Sequence, residues 1–257
     1  EEEYESFYKH VAHAFDKPLA RVHSHVEGLY QFSLLLFVPT EKLLELRLPG
    51  QEEVGGVKLY VKRVFVLDDA QMFLPNYLRF IRGVVDSDDL PLNVSREILQ
   101  ENRVVTTIRK NATKRVLDML GELSQDEEKY QKFWASFGTI LKEGIVEDLK
   151  RQQEVARLLR FRSTRSEGET PAVSLAAYKE RMKSGQEAIY YVTGDTFEAA
   201  VASPHLEIFK QKGIEVLVLT DRVDEWVVAH LTEFDGTPLR PVDRGALDLD
   251  QLGEVGE

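Results

Sequence analysis

The sequence predicts an α/β protein, and three observations predict it. Runs of β-branched and aromatic residues before position 70 read as strands, and stretches with apolar residues three or four apart read as long helices from 95 to 161. The last third then alternates buried strands with helical segments. Its two near-continuous apolar strands, joined by a helical crossover, imply a parallel pair, because parallel strands are covered on both faces and need a crossover to pair.

The elements follow in order. Tyr4, Phe7, Val11 and Phe15 fall on one face at helical spacing, and "DKP" stops that helix. "YQFSLLLFVP" and "VKLYVKRVFVLD" read as strands; in the second, Val57, Leu59, Val61, Phe65 and Leu67 share one face with Arg63 intruding. The segment Thr40 to Gly56 between them reads as a loop, and "QMFLPNYLRFIRGVV" as a short mixed segment. From Ser95, the positions Ile98, Val105, Ile108, Ala112, Val116, Leu120 and Leu123 predict one helix of about eight turns. Its outer face carries Arg103, Arg109, Lys110, Lys114 and Arg115, read as a solvated surface. Ser124 and Glu127 form a capping box ahead of a helix that stacks Tyr130, Phe133, Trp134, Phe137 and Leu141 on one side. A further helix covers 146–161, and "RSEGETPA" has a linker's composition. In the last third, "EAIYYVTGD" and "IEVLVLTD" are the buried strands, while "TFEAAVASPHLEIFKQKG" and "VDEWVVAHLTEF" are helical.

Composition narrows the functional classes. The 257 residues are 43% hydrophobic and 30% charged, with a net charge of -11 from 33 basic and 44 acidic residues. That charge argues against nucleic acid and anionic membranes as partners, leaving room only for a local basic patch. Cysteine is absent, which removes disulfides, thiolate catalysis and cysteine metal sites and fits a cytoplasmic protein. No apolar run approaches the roughly 18 residues that span a bilayer. The chain opens inside a helical pattern and closes on "DLDQLGEVGE", so it is expected to be a piece of a longer protein.

The chemistry-bearing motifs are few. Neither G-x-G-x-x-G nor G-x-x-x-x-G-K-[ST] occurs, and "VTGDT" reads as an ordinary strand-to-helix turn. His10 with His13 and His23 with His25 could each offer two ligands, but neither pair has an evident third, and no metal is expected. There is no G-x-S-x-G elbow. Asp195, Thr220 and Asp221 stand at the ends of the parallel strands, where a self-contained α/β enzyme would place its ligand-binding groups. Trp134 belongs to an aromatic stripe and reads as core. Trp226 follows two carboxylates near a helix start, and reads either as core or as a contact point for another protein.

Arg96 is the odd residue. It falls in the first turn of the helix expected from Ser95, where unpaired N–H groups already carry positive charge. Such a cation is either a plain surface arginine or part of an anion site that receives a phosphate presented by another domain. Asn93 and Gln100 flank it as neutral donors.

The string "DSDDLPLNVSREILQENRVVTTIRKN" resembles the signature of the middle domain of the ninety-kilodalton heat-shock chaperones, in their bacterial form. The resemblance continues through "FYKHVAH", "VKLYVKRVFVLDDAQMFLPNYLRFIRGVVDS", "LLRFRST", "YYVTGD" and "SPHLEIFKQKGIEVLVLTDRVDEW", and so covers nearly the whole chain. It implies a large three-layer α/β subdomain at 1–123, a helical connector at 124–163, a linker at 164–172, a small α/β subdomain with parallel strands at 173–235, and a tail at 236–257. It also implies that Arg96 reaches the γ-phosphate of ATP, held with Mg in an N-terminal domain that this sequence lacks. Asn93 and Gln100 would support that catalytic contact, and Phe65 would help to position the loop. Glu225 and Trp226 match a client-binding surface. The implied partners are the N-terminal ATPase domain, unfolded clients, co-chaperones, and a second copy joined through a C-terminal dimerisation domain; the fragment alone would bind no ATP and be inactive. The loop from Thr40 to Gly56 departs from the family by offering Leu43, Leu44 and Leu46 where exposed aromatics are usual. Two rivals stand beside this reading: the self-contained α/β enzyme, and a pure protein-interaction scaffold in which Arg96 is structural.

Overall fold

The computed structural model describes residues 1–41, 56–68, 70–93, 99 and 102–245, without the side chains of 244 and 245. The chain divides into two compact units, Glu1–Phe137 and Gly138–Glu257.

In the first unit, α1 (Glu2–Ala12) carries Glu2, Glu3 and Glu5 in its first turn and Lys9 and His10 in its last, the polarity that the helix dipole favours. His13 ends it in the left-handed conformation at φ 52°. Phe15 therefore leaves the apolar face on which helical spacing placed it and is almost wholly exposed. Strands β1 (Ala20–Val26), β2 (Phe32–Val38), β3 (Val57–Val61), β4 (Val64–Leu67) and β5 (Arg82–Ser87) form one mixed sheet in the order β1-β2-β5-β3-β4. All neighbours are antiparallel except β3 and β5. On β2, the partly buried Leu35 and the buried Phe37 pack with Tyr8 and Ala12 of α1, whereas Phe32, Leu34 and Leu36 point to the other face and are buried there. Both faces of the sheet are thus covered, giving the layered α/β arrangement that the sequence implied.

Four expectations in this unit are corrected. "VKLYVKRVFVLD" is a hairpin rather than one strand: Lys62 and Arg63 turn with φ of 51° and 67°, and a bulge shifts the register beyond Tyr60. Phe65 pairs with Tyr60, ring centroids 5.7 Å apart, instead of sharing a buried face with Val61. The mixed segment contains β5, the central strand. The helix expected from Ser95 is not continuous, because Asn102 is extended (φ -81°, ψ 129°) and its side-chain oxygen accepts the Val104 N–H at 2.8 Å. Helix α2 (Arg103–Leu123) starts there, about six turns long. Ser124 ends α2 by donating its N–H to the Leu120 carbonyl, so it is no capping box; Asp126 instead accepts the Lys129 N–H at the start of α3 (Glu127–Lys142). The aromatic stripe of α3 is buried as predicted, with Phe137 stacked on Phe80 at 4.8 Å and Trp134 in the core. The division between the units falls inside α3.

In the second unit, the helix expected over 146–161 is two: α4 (Gly144–Glu147) and α5 (Gln152–Leu158). Asp148 leaves helical geometry between them and turns its carboxylate onto the Arg151 N–H. The elements β6 (Arg162–Ser163), α6 (Leu175–Glu180), β7 (Ile189–Thr193), α7 (Phe197–Val201), α8 (Glu207–Gln211), β8 (Leu217–Leu219), α9 (Asp224–His230), β9 (Glu233–Phe234), β10 (Thr237–Pro241) and α10 (Val242–Gly245) follow. Their sheet runs β6-β8-β7-β10-β9. The parallel β7–β8 pair is present, with Tyr191 opposite Leu217. Its Tyr190, Val192, Val216 and Val218 face pack with Ala200 of α7 and Phe209 of α8. Residues 237–241, expected as tail, form β10 and pair parallel with β7, because the Asp235-Gly236 turn (φ 44° and 75°) folds them back on β9. Residues 164–172, expected as a linker, lie within this unit between the paired residues Phe161 and Val173.

A buried polar group ties this unit together. The Tyr178 hydroxyl donates to the Glu215 carbonyl and accepts from the Tyr190 N–H and from Gln186 Nε2, both at 3.1 Å. Burial pushes its phenol up to about 12. The buried Glu215 carboxylate receives Arg181 Nε and Nη2, each at 2.9 Å. Burial alone would raise Glu215, but the Arg181 fork, Ser163 and Arg165 outweigh it and hold the group below its ordinary value.

Two stability predictions follow from these contacts. A Cβ at Gly83, where φ is +146°, would lie 2.1 Å from the Leu35 carbonyl oxygen. Gly83→Ala is therefore expected to cost about 3 kcal/mol in urea unfolding; an unaltered midpoint would mean that β5 can shift away from β2. For Glu215, a folded value below the unfolded one adds stability that is present above the ordinary value and lost as pH falls through the folded one. Glu215→Gln should cost about 2 kcal/mol at neutral pH, the partly exposed Arg181 tempering the loss. The gap from the native chain should narrow below pH 4.5; a gap constant with pH would assign the loss to packing alone.

Candidate functional site

Three connections meet at one end of the first sheet. Register places Val26 opposite Phe32, Phe32 opposite Ser87, and Ser87 beside Val61. The turn 27–31, the Lys62-Arg63 turn and the exit from β5 therefore lie at the same edge. The exit is closely held. Lys62 N–H donates to the Ser87 carbonyl at 3.1 Å, Asp88 N–H to the Gln31 carbonyl at 3.1 Å, and Gln31 N–H to the Asp89 carboxylate. Arg63 Nε lies 3.1 Å from Asp86 Oδ2. Leu90 is buried, and Leu92 and Asn93 are exposed.

Of the residues singled out for this region, Asn93 follows that anchored exit and Phe65 is half exposed on the edge strand β4. Arg96 and Gln100 lie outside the described residues, as does the loop from residue 42 to residue 55 with Leu43, Leu44 and Leu46. The helix dipole that made Arg96 conspicuous is not that of α2, whose first turn begins at Arg103.

The second unit presents a different surface. Helix α9 begins at Asp224, which is buried, and the next two residues, Glu225 and Trp226, are exposed, Trp226 by 65%. Exposure, and not core packing, is the outcome for this tryptophan. Asp224 is held from beneath: Lys142 Nζ lies 2.7 Å from Asp224 Oδ1 and 2.7 Å from Asp221 Oδ2, and Asp224 Oδ2 accepts the Asp221 N–H at 3.0 Å. Burial pushes the Asp224 carboxyl up, against the pull of Lys142. Nothing in the sequence marks Lys142, since it stands beside an aromatic stripe and its partners are 79 and more residues away.

The remaining candidates do not assemble. Asp221 is engaged with Lys142, and Asp195 is exposed. Gly194 serves packing, since a Cβ there would come within 2.9 Å of Ala200, and Thr196 caps α7 through the Ala199 N–H. His23 meets the Tyr4 hydroxyl, and His25 meets Ser33 and Glu27. Among the described residues, no group of three or more histidine, aspartate or glutamate side chains could hold a metal ion, and no helix is long and apolar enough to cross a membrane.

Comparison with known proteins gives this arrangement its context. Residues 1–256 match the family model described as Hsp90 protein. The chain is 54% identical over 258 residues to Chaperone protein HtpG of Pasteurella multocida, covering 100% of this chain and 41% of that protein. It is 55% identical over 256 residues to Chaperone protein HtpG of Colwellia psychrerythraea, covering 99% and 39%. Among solved structures, it is similar to the middle domain of a Plasmodium falciparum heat shock protein, with a TM-score of 0.82, 34% identity and 94% of each chain covered. The chain belongs to the Hsp90 family and has the fold of that family's middle domain. It spans about two fifths of the length of the curated relatives it matches.

Proposed function

We propose that this chain is the middle domain of a cytoplasmic, ATP-dependent molecular chaperone, and that it acts by completing an ATPase site whose nucleotide is bound elsewhere in the same protein. The family match over residues 1–256 carries the reading. In it, ATP with Mg is held by an N-terminal domain, and Arg96 supplies a full positive charge to the terminal phosphate when the two domains close. An arginine fork suits that task, because it presents several donors to phosphate oxygens and stays charged. Asn93 and Gln100 support the contact. The anchored exit of β5 and the adjoining Lys62-Arg63 turn favour a loop aimed from a fixed base, with Phe65 beside it. Loss of the terminal phosphate then removes the partner of Arg96 and releases the closed arrangement, which couples hydrolysis to conformation. The exposed Glu225 and Trp226 bind unfolded clients, the tryptophan offering a large apolar contact next to a carboxylate. Co-chaperones and a second copy of the full-length protein are further partners, and this chain alone hydrolyses no ATP.

Two measurements test the parts separately. In the full-length protein, Arg96→Ala is expected to leave ATP affinity nearly unchanged and to lower turnover at least about tenfold, less than for arginine fingers in fast NTPases because domain closure limits the cycle. Turnover equal to the native rate would sink the assignment. Trp226→Ala is expected to weaken binding of a reduced, alkylated polypeptide about fivefold in a fluorescence titration. Unchanged affinity would remove this surface from the client site.

A further inference from the structure

Lys142 is only 3% exposed, rare for a lysine. Its ammonium sits 2.7 Å from one oxygen each of Asp221 and Asp224 and 4.9 Å from the ring centroid of Phe161. Asp224 is the first residue of α9, and Val223, which precedes the helix, provides no side-chain cap. The start of α9 is therefore held through the Asp224 carboxylate, one oxygen on Lys142 and the other on the Asp221 N–H. A seven-residue helix is too short to be stable by itself, so its direction depends on such attachments. The two residues after Asp224 are the exposed Glu225 and Trp226.

We infer that Lys142 is a positioning residue for client binding: clamped between Asp221 and Asp224, it fixes the start of α9 and so the direction in which Glu225 and Trp226 meet an unfolded chain. The inference rests on the client surface proposed above. Without the ammonium, the buried Asp224 carboxylate loses its cation and faces the partly exposed Asp221 carboxylate, and both costs are relieved by moving the start of α9 outward toward solvent. Trp226 then keeps its exposure and loses its fixed orientation, which an apolar anchor needs in order to fill a partner's pocket.

The test compares Lys142→Met, Lys142→Arg and Trp226→Ala in the 257-residue chain, by amide hydrogen exchange and by titration with a reduced, alkylated polypeptide. Lys142→Met is expected to speed exchange in α9 about tenfold while the β7 and β8 amides keep their protection. It should also weaken polypeptide binding about fivefold. Lys142→Arg, which keeps the charge, should bring both toward the native values. Unchanged α9 exchange or unchanged affinity in Lys142→Met, with binding still lost in Trp226→Ala, would overturn the role of Lys142 and leave the client surface standing. Retained binding in Trp226→Ala would overturn both. Should Lys142→Met also strip protection from β7 and β8, Asp224→Asn, which removes one carboxylate charge at constant size, takes its place with the same two deciding outcomes.

Discussion

The close passage of β5 against β2 at Gly83 is the constraint on which the first unit depends. A side chain there would strike the Leu35 carbonyl, so glycine alone lets β5 lie in register with Leu36 on one side while Val57 pairs on the other. The rest follows from that register. Because β3 runs parallel to β5, the far end of its hairpin and the exit from β5 emerge together, and the Arg63–Asp86 and Lys62–Ser87 contacts close around them. A loop leaving a plain antiparallel meander would lack that neighbour.

The second unit solves a related problem with charge. Its parallel strands are apolar on both faces, yet the Tyr178 hydroxyl, Glu215 and Lys142 are buried beside them, each with partners. Buried ionic groups contribute little net stability compared with apolar replacements of the same shape, and their removal one at a time is costly. Here they connect elements that are distant in sequence. Arg181 and Tyr178 bind the start of β8 to α6, while Lys142 binds the region beyond its end to α9.

Sequence made the apolar elements legible and the polar ones much less so. Strands β2, β7 and β8 are nearly continuous hydrophobic runs, and the aromatic stripe of α3 keeps helical spacing. Strand β5, "RGVVDS", hides a central position behind a glycine and charges. The Lys62-Arg63 turn carries none of the residues that usually mark such a hairpin, and prolines at 238 and 241 disguise β10 even though Asp235-Gly236 announces its turn. Asn102 was lost inside a periodic pattern that continues on both sides of it. At the candidate sites, Trp226 could be suspected from its acidic neighbours, whereas the triad around Lys142 is assembled from distant positions and leaves no local trace. Arg96 is marked only by a long matching string, because the helix start that made it an electrostatic oddity is not that of α2, which begins at Arg103; the anchored exit of β5 leaves no trace in that string.

The return of β10 to the sheet of the second unit has a consequence for the order of synthesis. Every residue of the first unit has been made by Phe137, but the second sheet cannot receive its fourth strand until Pro241 has been added. Strand β7 is finished at Thr193, so its outer edge stays open for the 48 residues up to Pro241, an interval of about 2–10 s at usual rates of translation. Through it the outer edge of β7, with its open row of backbone donors and acceptors, waits on the ribosome for a partner that is still to be made. A nascent member of a chaperone family would thus pass through a stage at which it resembles a client.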